Sequence, residues 1–520
     1  MNIFKSFVLL AVSLLFLCLF VNRYRRGLHL PPGPKGLPVV GNFLDVQRLQ
    51  KSNELPWVTY TKWSHIYGDI FTFHVLGSRT IVLNSYKAIM ELLDRRSHNY
   101  SDRPYQPMLN DLVRWKWMFA FMHYSDWWRL HRRTFHQFFQ PRVVSDYYEI
   151  QKERTSLLIQ NLATSPKDFF EHVRAHSGGI ILEITYGYRT QDEIDPYIKL
   201  VDVAMVGMNA SGLHGTYWVD YFPMLRHVPF WFPGASFRTR AEAWARDTDR
   251  LINIPWKLLK ERMNEGDTVP CFATRNLEKF KLSPTSSNDS SESVMEEVIK
   301  DCAANSFLAA AETTVSAILS FILAMMLNPQ IQARAQKELD EITDSNRLPD
   351  FTDRANLPYI DAVLSETLRW NPVTPLGRSL PVHWGFEVDA NTRMAALPHR
   401  ALNDDVYEGH LIPKGSTIIP NAWAVLRDES LYGPDTQNFD PDRFLKQDGK
   451  NIPPNPELLA FGFGRRVCPG RYLAINSLWL AMTYLLASYT MAKEIDPVVE
   501  YSSGITSCRF IPRSSVTSFN

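Results

Sequence analysis

Phe461-Gly462-Phe463-Gly464-Arg465-Arg466-Val467-Cys468-Pro469-Gly470-Arg471 is the stretch that decides how this chain is built. Glycines on both sides of one cysteine allow close backbone approach to a ligand and positive φ. Arg465, Arg466 and Arg471 surround the thiol, and helix-compatible sequence begins just beyond it. Nearby cations and a helix amino end both favour thiolate over thiol, so the sequence predicts a depressed pKa at Cys468. Cys18, Cys271, Cys302 and Cys508 lack such a setting and read as small buried apolar residues. A turn rich in glycine and arginine suits a thiolate bound to a large flat metal cofactor better than an inert thiol.

Composition narrows the field. The 520 residues carry Lys+Arg 56 against Asp+Glu 55, and 45% are hydrophobic, an ordinary globular balance. A formal charge of +1 lacks the basic excess that phosphate contacts need, which argues against a nucleic-acid partner. The five cysteines form no C-x-x-C pair, so a disulfide scaffold and structural zinc both lose their signature and a reducing compartment fits best.

Phe461, Gly464, Arg466, Cys468 and Gly470 fill the pattern F-x-x-G-x-R-x-C-x-G, which resembles the haem-thiolate loop of the cytochrome P-450 family. Other segments resemble the family's motifs in the same order. Trp128-Arg129-Leu130-His131-Arg132 is similar to W-x-x-x-R, and Ala309-Ala310-Ala311-Glu312-Thr313-Thr314 to A-G-x-[D/E]-T-T, with Ala310 at the glycine. Glu366-Thr367-Leu368-Arg369 is similar to E-x-x-R, and Phe439-Asp440-Pro441-Asp442-Arg443-Phe444 to the P-E-R-F segment, with Asp442 at the glutamate. The resemblance implies one large, mainly α domain with small β-sheets rather than the three or four domains that length alone suggests.

It also implies roles. Cys468 is the axial thiolate ligand of haem b, seated by Phe461 and Gly464. Trp128, Arg132, Arg466 and His399 donate to its propionates, an arginine being a permanent cation able to bond bidentately. Glu366, Arg369 and Arg443 form a buried structural triad behind the haem loop. Glu312 and Thr313 are the catalytic pair, a carboxylate beside a hydroxyl that can relay protons through ordered water. From the residues alone, Glu366 and Arg369 are an ordinary i,i+3 pair. Likewise, Thr313 read alone is a helical threonine able to bond a carbonyl four residues back.

Outward from these motifs, residues 1–26 read as a membrane anchor and its basic stop. Ile3–Val21 is apolar except Lys5, Ser6 and Ser13, and reaches about 28 Å against the roughly 30 Å hydrocarbon core. Arg23, Arg25 and Arg26 follow, so the carboxyl side faces the cytoplasm. A proline-rich linker, 27–40, reads as a stiff extended spacer before a catalytic domain at 41–520. Thr72–Leu83 reads as a hairpin turning at Gly77-Ser78. Leu282–Ser293 reads as a surface loop, followed by a helix capped at Ser293 and running to Leu327. Helices are also expected over Leu357–Trp370 and Tyr472–Tyr489. The resemblance implies that residues 378–396 have no family counterpart in a connection that is normally short, so they are expected to be an insertion, either a lid or intron sequence carried into the chain. Sequons at Asn99, Asn209 and Asn288 stay unmodified on a cytoplasmic domain.

The resemblance implies a single-pass endoplasmic-reticulum monooxygenase acting on a hydrophobic, aromatic or polycyclic small molecule. Electrons come from an NADPH-cytochrome P-450 reductase, with cytochrome b5 as an optional second donor, since the chain carries no flavin or nicotinamide fingerprint. Arg129, Arg133, Arg465 and Arg471 are candidates for the docking face of that partner. Two rival functions share the cofactor: isomerase, dehydratase or peroxide chemistry, and a membrane haem-binding protein made inactive by 378–396.

Overall fold

The computed structural model describes residues 29–52, 54–190, 195–212, 214–281, 289–344, 347–373, 397–446, 451–493 and 509–513. The expected anchor, the insertion at 378–396 and the sequon at Asn288 lie outside them. Helices dominate, and a helix at Asp289–Leu327 runs through the middle of the chain's packing. At about 1.5 Å per residue its length is about 58 Å. It starts at Asp289, before the expected cap at Ser293, and Glu292 puts negative charge in its first turn, where the helix dipole favours it. Residues 301–308 and 314–326 are buried, so both halves are core. Among the described residues this is the one helix long and apolar enough to cross a membrane, yet 78% of its apolar window is buried inside the protein.

Around it pack the helices Asp126–Phe139, Phe169–Tyr186, Ser236–Glu265, Pro358–Trp370 and Arg471–Ser488. Their apolar faces meet in two large clusters. One gathers Trp128, Phe135, Leu182, Phe272 and Phe307, the other Ile318, Phe321, Leu364, Trp479 and Leu485. A four-stranded sheet lies to one side, in the order Ile70–Val75, Ser78–Leu83, Thr417–Pro420 and His399–Arg400. The first two strands form the expected hairpin, but its turn is Leu76-Gly77, with φ +48° and +88°. A two-residue hairpin of this kind needs left-handed residues at both positions, which moves the turn one residue earlier than the sequence suggested. Two-stranded sheets pair Asp405–Tyr407 with His410–Ile412 and Tyr489–Ala492 with Arg509–Pro512.

The proline-rich segment is not a free spacer over its described part. Thr72 donates its N–H to the Pro32 carbonyl (2.8 Å), Leu37 and Gly41 exchange hydrogen bonds, and Asn42 donates to the His74 carbonyl (2.7 Å). Proline cannot continue a ladder but leaves its carbonyl available, so this stretch lies along the edge of the hairpin.

Candidate active site

Cys468 sits in a closed loop. Its N–H donates to the Phe461 carbonyl (2.7 Å), tying the two ends of the glycine-rich stretch, and the helix Arg471–Ser488 starts two residues beyond Pro469. Gly464 has φ +51°, and a Cβ there would stand 2.4 Å from the Leu93 carbonyl oxygen, so only glycine fits the turn. The Cys468 thiol is pushed up by burial despite the Gly470 N–H, Arg132 and Arg471, all of which act the other way. This corrects the expected depressed pKa: in the chain alone, desolvation outweighs the cations. Cys271 and Cys302 are buried in the core, and burial raises the Cys302 thiol well above its ordinary value.

The helix Asp126–Phe139 is capped by Ser125, whose Oγ accepts the Trp128 N–H (3.2 Å). Trp128 and Arg132, four apart, share the face turned toward the cysteine loop: Arg132 Nη1 donates to the Val467 carbonyl at 2.6 Å. Arg466 stacks over the Trp128 ring (4.3 Å to the centroid) and donates to the carbonyls of Ser101, Phe119 and Met122. Arg103, which sequence reasoning missed, is buried beside them and donates to the Ala120, Leu397 and Pro398 carbonyls. Its only sequence signal is a charged residue inside Ser101-Asp102-Arg103-Pro104, with no periodic pattern around it.

None of Arg103, Arg132 and Arg466 makes an ion pair among the described residues. Asp102, the carboxylate felt by Arg103 and Arg466, is itself engaged by His123 (3.1 Å) and Arg400 (3.3 Å). Burial and the neighbouring Arg103 bring Arg466 down to about 8. His399 donates Nδ1–H to the Tyr100 carbonyl (2.6 Å), and burial keeps the ring neutral. Its Nε2 is then an acceptor in the chain alone.

On the long helix the buried run breaks at Ala309, Ala310, Glu312 and Thr313, with Ala309 and Thr313 exposed. Exposure in the middle of a core helix marks open space against it. That helix packs on both the helix carrying Trp128 and the helix that follows Cys468. Thr313 donates its hydroxyl to the Ala309 carbonyl (2.7 Å). Glu312 faces Arg174 (3.7 Å), which also pairs with Asp202, and burial pushes the Glu312 carboxyl up against the pull of Arg174.

Behind the loop, Glu366 and Arg369 are fully buried and doubly bonded, at 2.6 and 2.7 Å. Arg443 approaches Glu366 at 3.7 Å, completing the expected three-residue group.

These residues fit a planar dianionic cofactor with a metal at its centre. Three wholly or largely buried guanidinium groups lack a carboxylate, the Trp128 indole N–H is buried without a partner, and an open space lies against the long helix. Haem carries two carboxylates, which answers the first two observations, and the flat ring answers the third.

The model of the family described as Cytochrome P450 matches residues 31–382 and 392–504. The chain belongs to the cytochrome P450 family. It is 38% identical to a cytochrome P450 monooxygenase of Armillaria gallica, over 94% of this chain and 93% of the relative. Cytochrome P450 monooxygenase 98 of Postia placenta is 36% identical, over 98% of this chain and 95% of its own. Tryptamine 4-monooxygenase of Psilocybe cyanescens is 33% identical, over 98% of each chain. The protein is therefore a cytochrome P450 monooxygenase, an oxidoreductase of a family that carries haem on a cysteine thiolate. The match leaves out 383–391, inside the segment 378–396.

Proposed function

We propose that Cys468 is the thiolate ligand of haem b and that the enzyme hydroxylates a hydrophobic, aromatic small molecule. When bound, the haem supplies the dioxygen chemistry, R–H + O2 + 2 e⁻ + 2 H⁺ → R–OH + H2O, with the thiolate favouring O–O cleavage. Trp128, Arg132 and Arg466 hold the propionates, with Arg103 adding charge behind them. Binding there replaces carbonyl contacts with a charge-assisted pairing. Glu366, Arg369 and Arg443 keep the backbone behind the loop in place. Burial pushes the Glu312 carboxyl up, which suits it to pass a proton toward the open space beside Thr313. The bare methyls of Ala309 and Ala310 leave room for substrate and exclude polar contacts. A relative named for 4-oxidation of tryptamine supports an aromatic substrate.

Electrons come from an NADPH-dependent flavoprotein reductase, docking on the side of Arg129, Arg133, Arg465 and Arg471. Arg465 and Arg129 gather around Tyr124 there, and Arg133 is exposed. The location is the endoplasmic-reticulum membrane, with residues 1–26 as a single-pass anchor and the domain cytoplasmic. An aromatic surface supports a membrane setting: Met224 and Trp231 are 75% and 81% exposed, beside exposed Trp218, Phe222, Phe230 and Phe232. Trp218 stacks on Phe43 (5.5 Å), near exposed Leu37 and Val39 of the segment by which the chain enters the domain. Arg238 lies over the Phe230 ring (4.2 Å to the centroid), and aromatic residues with an arginine among them suit a membrane interface.

The observation that carries this reading is the set of uncompensated buried cations beside the Cys468 loop. Its test is the full-length protein reduced under carbon monoxide. The red-shifted Soret band of a thiolate haem is expected, lost in Cys468→Ala and kept in Cys302→Ala. A Cys468→Ala protein with an unchanged spectrum overturns it. Turnover without any reductase would move the function to isomerase or peroxide chemistry.

A further inference from the structure

We propose that Asp220 is the positioning residue that clasps together the two segments walling the substrate side of the site, and so sets how readily bulky molecules enter. Residues 105–114, and 212 with 214–226, come from distant parts of the chain. Met108, Leu109, Val113 and Val219 join the same apolar cluster as Ala303 and Phe307 of the long helix, just before its open stretch, and Ala311 within it. Neither segment holds a long regular element: one has the single turn Met108–Leu112, the other the four-residue helix Trp218–Tyr221. Their mutual position therefore depends on specific ties.

Asp220 is the buried tie, 7% exposed. Oδ1 accepts the Met108 N–H (3.1 Å) and Oδ2 the Gly215 N–H (3.3 Å), so one carboxylate bridges both segments. No cation pairs with it among the described residues, and burial pushes it up to about 6, which leaves it ionised at neutral pH. The loop is shaped to present that amide: Gly215 has φ +89°, and a Cβ there would stand 2.1 Å from the Tyr221 hydroxyl.

The remaining ties are weaker. Gln106 donates to the Gly212 carbonyl (3.2 Å) and Arg226 pairs with Asp111 (2.8 Å), while Arg114 ties its segment to the helix Ser236–Glu265 through Glu242 (3.1 Å) and Asp249. The ion pairs are more than a quarter exposed on both sides, where solvent screens them. Replacing the Asp220 carboxylate by a carboxamide leaves one acceptor oxygen for the buried Met108 N–H and the half-buried Gly215 N–H, which favours local opening over the closed wall. Carboxylates that cap backbone groups across a loop carry no sequence pattern, which is why Asp220 does not stand out in the primary structure.

The clasp concerns access to the haem proposed above, and the test separates the two readings. In purified full-length holoprotein, Asp220→Asn preserves volume. Association and dissociation of 4-phenylimidazole at ferric haem should both accelerate about tenfold, the scale of one or two stranded amides. Affinity should stay within about twofold and carbon monoxide association unchanged, because a small ligand needs no wall opening. Arg226→Gln, which breaks only an exposed pair, should leave all rates within about twofold. A merely structural defect would move carbon monoxide and the azole together, and that outcome overturns the clasp, as do unchanged azole rates. Should Asp220→Asn fail to take up haem, amide exchange in the wild-type protein decides. Met108 and Gly215 share one carboxylate and should exchange at one rate, whereas rates more than about tenfold apart end the idea. A missing thiolate band would sink the haem assignment without touching this exchange result.

Discussion

Arg369 grips both carboxylate oxygens of Glu366, Nε to Oε2 at 2.6 Å and Nη2 to Oε1 at 2.7 Å, and neither side chain has any exposed surface. The spare N–H groups of Arg369 are spent on the carbonyls of Leu426, Thr436 and Asn438, and Glu366 also accepts the Asp440 N–H (2.8 Å). One helix turn is thereby fastened to the irregular chain that leads into the cysteine loop. Lysine cannot reproduce a fork with five donors. Arg369→Lys and Glu366→Gln should each cost about 3–5 kcal/mol, because each leaves a buried charge or carbonyl set unanswered. Both should accumulate protein without the carbon-monoxide band. Arg443→Lys should be milder, since Arg443 lies 3.7 Å from Glu366 and bonds mainly the Tyr432, Pro434 and Asp435 carbonyls. Wild-type haem content in Arg369→Lys would refute this ranking.

Several of these relationships are legible in the primary structure. The F-x-x-G-x-R-x-C-x-G loop, the E-x-x-R helix and the long central helix are local patterns, and local patterns survive in sequence. Arg103, the Asp220 bridge and the accepting state of His399 are not legible there. Each depends on which backbone groups arrive from elsewhere in the chain, and a backbone carbonyl or amide has no residue identity to read. The Cys468 pKa fails for a related reason: the charges beside it are visible in sequence, whereas its burial is a tertiary quantity that opposes them.

The Trp128 indole N–H is buried with no acceptor among the described residues, an arrangement that costs free energy until a partner arrives. If a haem propionate is that partner, Trp128→Phe keeps the ring under Arg466 and removes only the donor. A hydrogen bond to a charged group is worth about 1.5–3 kcal/mol, so haem loss to an apomyoglobin trap should accelerate at least about tenfold. Arg132→Gln should lose haem faster still, as it removes a full charge. A Trp128→Phe protein that holds haem as long as wild type would take Trp128 out of the cofactor site.

Glu312 and Arg174 form the next test. Burial raises the Glu312 carboxyl and Arg174 restrains it, so Arg174→Ala should raise it further and keep it protonated to higher pH. In reductase-coupled turnover of any substrate that shifts the ferric spectrum, Glu312→Gln should lower product formation about a hundredfold. Arg174→Ala should move the pH profile upward with a smaller loss, and should have no further effect on pH dependence in the Glu312→Gln background. Thr313→Ala frees the Ala309 carbonyl and should lower product formed per NADPH consumed while haem binding stays intact. A pH profile that ignores Arg174→Ala would show that Glu312 does not govern the proton step.

Stability in acid should be set by histidines that the fold holds neutral. His176 bonds Thr155 (3.0 Å) in the core and burial takes it down to about 3, while burial takes His214 to about 4. In the unfolded chain both bind a proton near pH 6.5. Their contribution is complete above that pH and is lost as pH falls, because only the unfolded chain then takes up protons. From about pH 6.5 to 5 each should cost about 2 kcal/mol, at about 1.4 kcal/mol per pH unit. His176→Gln cannot titrate, so it should lower Tm at neutral pH yet flatten the fall in Tm between about pH 7 and 5. Thermal unfolding across that range checks the sign: a slope as steep in His176→Gln as in wild type would place the acid sensitivity elsewhere.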